Sequence, residues 1–334
     1  MRIRLLLAAP FAASLLLAAS YGTSSNSAPA SAAPAAKPRK LVIGVVAKSN
    51  SNAVFQVARI GAEDAAKALS KQLGMDISID WRTPNDENAQ MQADNIEALT
   101  TLNVDGIAVS CSDANKVTDA INKAVKNGIP VVTFDSDAPK SARFAIYGTD
   151  DEKCGQQVMS ELAKIMGGKG VVAILAGNPN APNLQKRVKA VQDEAKKYPG
   201  ITVLPTVNHK ETAADAAAAV EQTMQAHPEI TGWAMVGGWP LFTDNALKWQ
   251  PGSVKVVAVD ALPAQLAYVR DGHVQELLAQ QCYEWGNTSV HLLVDKVLNK
   301  KTPPSFFVAS PLIPVTKDNV EEYSKNWDKW LPKK

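Results

Sequence analysis

Polar and aromatic side chains recur along this chain just after short apolar runs: Asn52 with Phe55, Ser110, Asp135 with Ser136, Asn183 with Arg187, Trp239, Asp260 and Gln280. Asp113, Asn178, Asn180 and the Gly237-Gly238 pair stand in similar places. Carboxylates accept hydrogen bonds, a guanidinium donates them in a planar fork, and amides do both. Aromatic rings cover apolar C–H faces and exclude water. Together these groups suit a small polar ligand such as a sugar, although an amino acid or a purine would use the same set. Asp135 and Asp260 with the single Arg187 favour a neutral ligand over an anion. Each residue alone has a plainer structural role open to it: Asp135 and Asn52 can cap helices, and Arg187 can be one exposed helix charge among many. Their repetition, strand after strand, is what points to a site.

Catalytic patterns are missing from the sequence. The chain has four His. His209, His227, His273 and His291 lack the spaced partners of a metal site and are predicted to be surface or packed residues. There is no GxSxG elbow and no Walker A loop. Gly168-Lys169-Gly170-Val171-Val172-Ala173 imitates a dinucleotide fingerprint. Its glycines precede a strand instead of joining strand to helix, so it is predicted to be a plain turn. No nucleophile, base and orienting group can be assembled. The sequence therefore predicts no enzyme, no cofactor and no metal. The net charge of +2 does not suggest a nucleic-acid surface. The three Cys (Cys111, Cys154 and Cys282) are widely spaced and read as small core or loop residues, with one pair able to bridge.

The elements that must position these groups alternate. Residues 41–47 form an apolar β-branched run, the pattern of a strand buried on both faces. Residues 53–73 carry Val54, Val57, Ala58, Gly61, Ala65, Ala68 and Leu69 on one helical stripe, with Gly74 at the stop. Strands at 76–81, 106–109, 131–134 and 143–147 then alternate with helices at 88–102 and 113–127. A second series follows, with helices at 152–166, 183–198, 212–226, 242–248, 263–270 and 283–298. Its strands are expected at 170–175, 201–207, 232–236, 254–259 and 274–279. A strand at 306–309 and a helix at 317–330 close the chain. Such alternation builds parallel sheets through βαβ crossovers. Residues 131–135 and 256–260 echo each other, each an apolar run stopping at an Asp, where open α/β sheets bind ligands.

At 334 residues, one large or two medium domains are expected. The first residues look like a secretory leader: Arg2 and Arg4, an apolar core from Leu5 to Ala19, then Ala18-Ala19-Ser20. A short membrane anchor is the alternative. No Cys follows for lipid attachment, so a free protein in the periplasm or extracytoplasmic space is expected. Residues 22–40, rich in Ser, Ala and Pro, suit a disordered tether.

The chain resembles the ribose-binding-protein-like, type I periplasmic sugar-binding proteins of ABC transporters over residues 41–315. The motifs are Asn52-Ala53-Val54-Phe55 leading to Gly61-Ala62, Gly128-Ile129-Pro130-Val131 running to Asp135, Lys186-Arg187, Ala258-Val259-Asp260 and Ala279-Gln280. The resemblance implies two Rossmann-like lobes with parallel sheets, joined by a three-segment hinge near 149–151, 280–282 and 309–314. The ligand would lie between the lobes, which close on it, and the closed form would be recognised by a membrane permease. With the leader at 1–20 and the tether at 21–40 read from their residues, the expected organisation adds an N-terminal lobe of 41–149 plus 281–310 and a C-terminal lobe of 150–280 plus 311–334. The implied partners are a sugar-like ligand and the permease, with no nucleic acid and a monomeric chain. Val54 and Val259 replace family aromatics, Ser136 replaces an Arg, and Gly237-Gly238-Trp239 stands where the family often has Asn. These departures predict a ligand other than ribose. The same fold also serves as a chemoreceptor or kinase sensor. A transcription regulator of this fold would need a helix-turn-helix where the leader stands.

Overall fold

The computed structural model describes residues 40–331. The expected leader and residues 21–39 of the expected tether lie outside the described residues. The first series comprises β1 (Lys40–Val46), α1 (Ala53–Leu73), β2 (Asp76–Trp81), α2 (Ala89–Thr101), β3 (Gly106–Val109), α3 (Ala114–Lys126), β4 (Val131–Phe134) and β5 (Ala145–Gly148). The second comprises α4 (Asp151–Ile165), β6 (Lys169–Ala176), α5 (Pro182–Ala195), β7 (Gly200–Val203), β8 (Val207–Asn208), α6 (Ala213–Ala226), β9 (Gly232–Met235), β10 (Lys255–Val259), α7 (Pro263–Arg270) and β11 (Glu276–Ala279). Then come α8 (Cys282–Asn299), β12 (Phe307–Ala309), β13 (Ile313–Val315) and α9 (Val320–Trp330).

Two sheets result, ordered β12-β5-β4-β3-β1-β2 and β13-β11-β10-β9-β6-β7, with β8 also paired to β6. Every pairing is parallel except β11 with β13. Setting aside β12 and β13, the two orders are the same, so each sheet is one doubly wound Rossmann-like lobe. Strands β3, β4, β9 and β11 are buried along their whole length. That accounts for their largely apolar sequences, Thr133 and Glu276 being the exceptions, because helices cover both faces of a parallel sheet. The chain crosses between sheets at β5–α4, at β11–α8 and at β12–β13. The three crossings are tied together. The Ser310 amide donates to the Gly148 carbonyl at 2.8 Å, and Thr149 Oγ1 donates to Gln280 Oε1 at 3.1 Å.

Three local expectations change. The helix expected at 242–248 is instead a 3-10 turn at Trp239–Phe242, started by Pro240. The strand expected at 201–207 divides into β7 and β8. Val203 faces Val172 and Val207 faces Leu175 on β6, so one extra residue bulges out around Pro205, which has no N–H to give the ladder. The antiparallel β13 has no counterpart among the expected strands. The three cysteines are free and buried. Gly168, at φ of 75°, closes the turn after α4, and Lys169 and Gly170, the latter at φ of 132°, already begin β6.

Candidate ligand-binding cleft

The carboxyl ends of strands in both lobes face one cleft, where Asp135 just past β4 meets Asn183 of α5, and open α/β sheets bind ligands at such ends. β4 and β10 are followed directly by Asp135 and Asp260, whose backbones adopt left-handed φ of 55° and 79°. Each Asp amide donates to the neighbouring strand, Asp135 to the Tyr147 carbonyl at 3.0 Å and Asp260 to that of Leu278 at 2.9 Å. Holding a non-glycine residue there costs on the order of 1–3 kcal/mol, and such strain clusters at ligand clamps. It turns each carboxylate out of the sheet at the strand end.

Asp135 accepts from Ser110 Oγ at 2.8 Å and, from the other lobe, from Asn183 Nδ2 at 3.0 Å. Asp260 accepts from Gln280 Nε2 at 2.7 Å. Gln280 is held in turn by Arg187, whose Nη2 donates to its Oε1 at 2.7 Å. Arg187 also donates through Nη1 to the Val236 carbonyl at 3.1 Å and through Nε to Asp151 Oδ1 at 2.9 Å. It is a buried residue on α5, not an exposed helix charge. Its position depends on Gly155 of α4, because a Cβ there would come within 2.2 Å of the Arg187 carbonyl oxygen. The two helices therefore touch backbone to backbone, bringing Asp151 beside the guanidinium. Burial pushes the Asp151 carboxyl up to about 6 against the pull of Arg187. Burial also raises Asp260, with Gln280 and Arg187 pulling back.

A second polar bridge links the lobes. Lys48, just past β1, lies 3.5 Å from Asn183 Oδ1 and 3.6 Å from Glu211 Oε1. Burial opposes its ammonium, but Glu211, Asp135 and Glu87 outweigh burial and hold its pKa above the ordinary lysine value. Burial likewise raises Glu211. Asn178 Nδ2 donates across the cleft to Glu87 Oε1 at 3.1 Å.

The other expected site residues divide. Asn52 caps α1, its side chain accepting from the Val54 amide at 3.3 Å. Phe55 lies in the core with its ring centroid 6.0 Å from Trp285, so its visible role is packing between helices. Ser136 is buried, and its Oγ has no hydrogen-bond partner in the protein. Trp239 is buried edge-on against His209, at 4.9 Å between centroids. The two glycines before Trp239 account for its placement. A Cβ on Gly237 would strike its ring at 2.4 Å, and one on Gly238 would strike Gln265 Nε2 at 2.1 Å. Sequence reasoning misses Lys48, Asp151, Thr149, Glu211 and Glu87 as cleft residues, and it reads His209 as merely surface or packed. Lys48 is recoverable, because it obeys the same strand-end rule that finds Asp135.

Residues 43–301 match the periplasmic binding protein domain. The chain belongs to the periplasmic binding protein family. The ribose import binding protein RbsB of Bacillus subtilis is similar, 22% identical over 82% of this chain and 87% of its own. The D-allose-binding periplasmic protein of Escherichia coli is 26% identical over 78% of this chain and 86% of its own. Among solved structures, an ABC transporter solute-binding protein from Burkholderia graminis in complex with D-arabinose is 29% identical. It covers 86% of this chain and 99% of its own at a TM-score of 0.78. This periplasmic binding protein thus has the type I, two-lobed architecture that the resemblance implies.

Proposed function

We propose that this protein captures a small neutral sugar between its lobes, closes on it by hinge motion and delivers it to an ABC transporter permease. The observation that carries this reading is the pair of left-handed aspartates at matching strand ends, Asp135 and Asp260. Each is braced by buried donors. Carboxylates fixed in this way accept hydrogen bonds from ligand hydroxyls without reorganising on binding. Arg187 and Gln280 brace the second aspartate, and Asn183 reaches the first from the opposite lobe. Ser110, Ser136, Asn52 and Trp239 complete the proposed cleft. Phe55 supports its wall from the core. The binding event involves no bond-making chemistry. The sugar-binding relatives support the ligand class.

The proposed organisation is a leader at 1–20, a tether at 21–40, and lobes of 41–149 with 281–310 and 150–280 with 311–334. The protein works outside the cytoplasmic membrane as a monomer, and its partner there is the permease. A thermal-shift panel of pentoses, hexoses, amino acids and nucleosides tests the reading. A ligand at 100 times its Kd adds about 2.7 kcal/mol to stability, so a sugar should raise the melting temperature by several degrees. A rise with an amino acid or nucleoside and none with any sugar would overturn it.

A further inference from the structure

The two lobes share more than their chain crossings. Each sheet has buried side chains on both faces, and one face of each lobe has a core of its own. Ile96, Leu99 and Ile121 belong to the first of these, and Met159, Leu162 and Val191 to the second. The two remaining faces are not separate. Their side chains form one buried cluster that runs from Leu41, Phe55 and Trp285 in the first lobe to Val256, Leu266 and Val269 in the second. A buried cluster of this kind usually marks a single domain core, so here the core itself passes from lobe to lobe.

Helix α9 stands at this seam. It follows β13 of the second sheet and packs on α7. Arg270 Nε of α7 donates to Glu321 Oε1 at 2.7 Å, and Trp327 Nε1 donates to the Ala261 carbonyl at 3.0 Å. These contacts root the helix in the second lobe. Its far end meets the first. The Trp330 ring stacks on Tyr283, with centroids 6.1 Å and planes 16° apart, and α9 also touches α1. Tyr283 lies in the first turn of α8, which packs against β3, β4 and β5 of the first sheet. Its hydroxyl donates to Asp64 Oδ2 of α1 at 3.0 Å. Trp327 meets Trp330 edge-on at 5.0 Å. A row of three rings, Trp327, Trp330 and Tyr283, therefore spans the lobes, with a hydrogen bond at each end. Tyr283 comes just after the β11–α8 crossing, so rotation of the lobes about that crossing changes how its ring meets Trp330. In this structure the lobes meet, since Asn183 bonds Asp135 across the cleft. Packed interfaces hold discrete arrangements and do not deform continuously, and the aromatic row favours the one in which it is stacked.

We infer that α9 is a strap across the hinge, whose aromatic row biases the ligand-free protein towards the closed arrangement of the lobes. The strap presupposes the hinge closure proposed above and sets its resting position. A ligand that binds the closed form better then has less of the closing to drive.

Small-angle scattering of the full-length protein without ligand, paired with calorimetric titration of the sugar that gives the greatest thermal shift, tests the strap. Trp330→Ala should enlarge the ligand-free radius of gyration relative to the parent and leave the sugar-saturated radius unchanged. It should weaken the sugar about three- to tenfold, the worth of one aromatic pair. Tyr283→Leu, made from the other lobe, should do the same, and Trp330→Phe, which keeps a ring, should restore both readouts. A lower melting temperature with radius and affinity unaltered in both ring-removing variants would mean that α9 only stabilises the fold, and would overturn the strap. Binding of no sugar would remove the proposed function, while the ligand-free radius would still decide the strap by itself.

Discussion

Asp135 and Asp260 occupy the same place in two lobes of the same topology, yet they are held differently. Both follow a buried strand, share a left-handed backbone and donate an amide to the next strand. Asp135 is tied across the cleft to Asn183 and locally to Ser110. Asp260 is tied to Gln280 at a lobe crossing, and through it to Thr149, Arg187 and Asp151. The first aspartate therefore reports whether the lobes meet, while the second is built into the hinge. One fold, used twice, supplies a clamp residue and an anchor residue.

The largest effect should come from removing the brace of the anchor. Arg187→Ala leaves Asp151 buried and unpaired, which should cost about 3–5 kcal/mol in urea unfolding and abolish ligand binding. A loss below about 1 kcal/mol would break the claim that the hinge side is the more tightly built. Next, Asp260→Ala strips Gln280 of its acceptor and should destabilise the unliganded protein by about 1–3 kcal/mol. Asp135→Ala, whose lost bonds include one that opening the lobes breaks anyway, should destabilise it by less than Asp260→Ala. Equal losses would erase the distinction.

A pH experiment sharpens the same comparison. The strand beside Asp135 begins at Ala145, paired with Val132. The strand beside Asp260 begins at the equivalent Glu276, paired with Val257. Burial, reinforced by Glu161, pushes Glu276 up to about 7. A carboxyl raised in the folded state binds its proton more tightly there than in the unfolded chain. Its contribution is therefore most favourable below about pH 4.5 and is lost as pH rises to about 7. Glu276→Gln should gain about 1–2 kcal/mol over the parent at pH 8, and that gain should vanish by pH 4. A gain independent of pH would rule this out. The smallest effect is expected at Ser136→Ala, since its Oγ bonds nothing in the protein. Stability should stay within about 0.5 kcal/mol in thermal unfolding.

What the sequence reveals follows from how local each cause is. The strand-ending aspartates are legible because a charge that stops an apolar β-branched run must sit at the open end of a sheet. Lobe topology is legible from the alternation of strand and helix. The partners of Arg187 are not, since Asp151 meets it only through the α4–α5 contact permitted by Gly155. Phe55 misleads for a related reason: an aromatic after a helix cap suits a ligand face or a helix interface equally, and only packing on Trp285 decides. Glu211 is hidden because the bulge at Pro205 displaces the strand end ahead of it.

The central claim is that both aspartates converge on one sugar. Calorimetric titration of the sugar with the greatest thermal shift, into the parent, Asp135→Asn and Asp260→Asn, tests it most directly. Each neutral isostere should lose about 1.5–3 kcal/mol of binding, roughly tenfold or more in Kd. Parent-like affinity in either variant would mean that the two strand ends do not share a ligand, and would contradict the account.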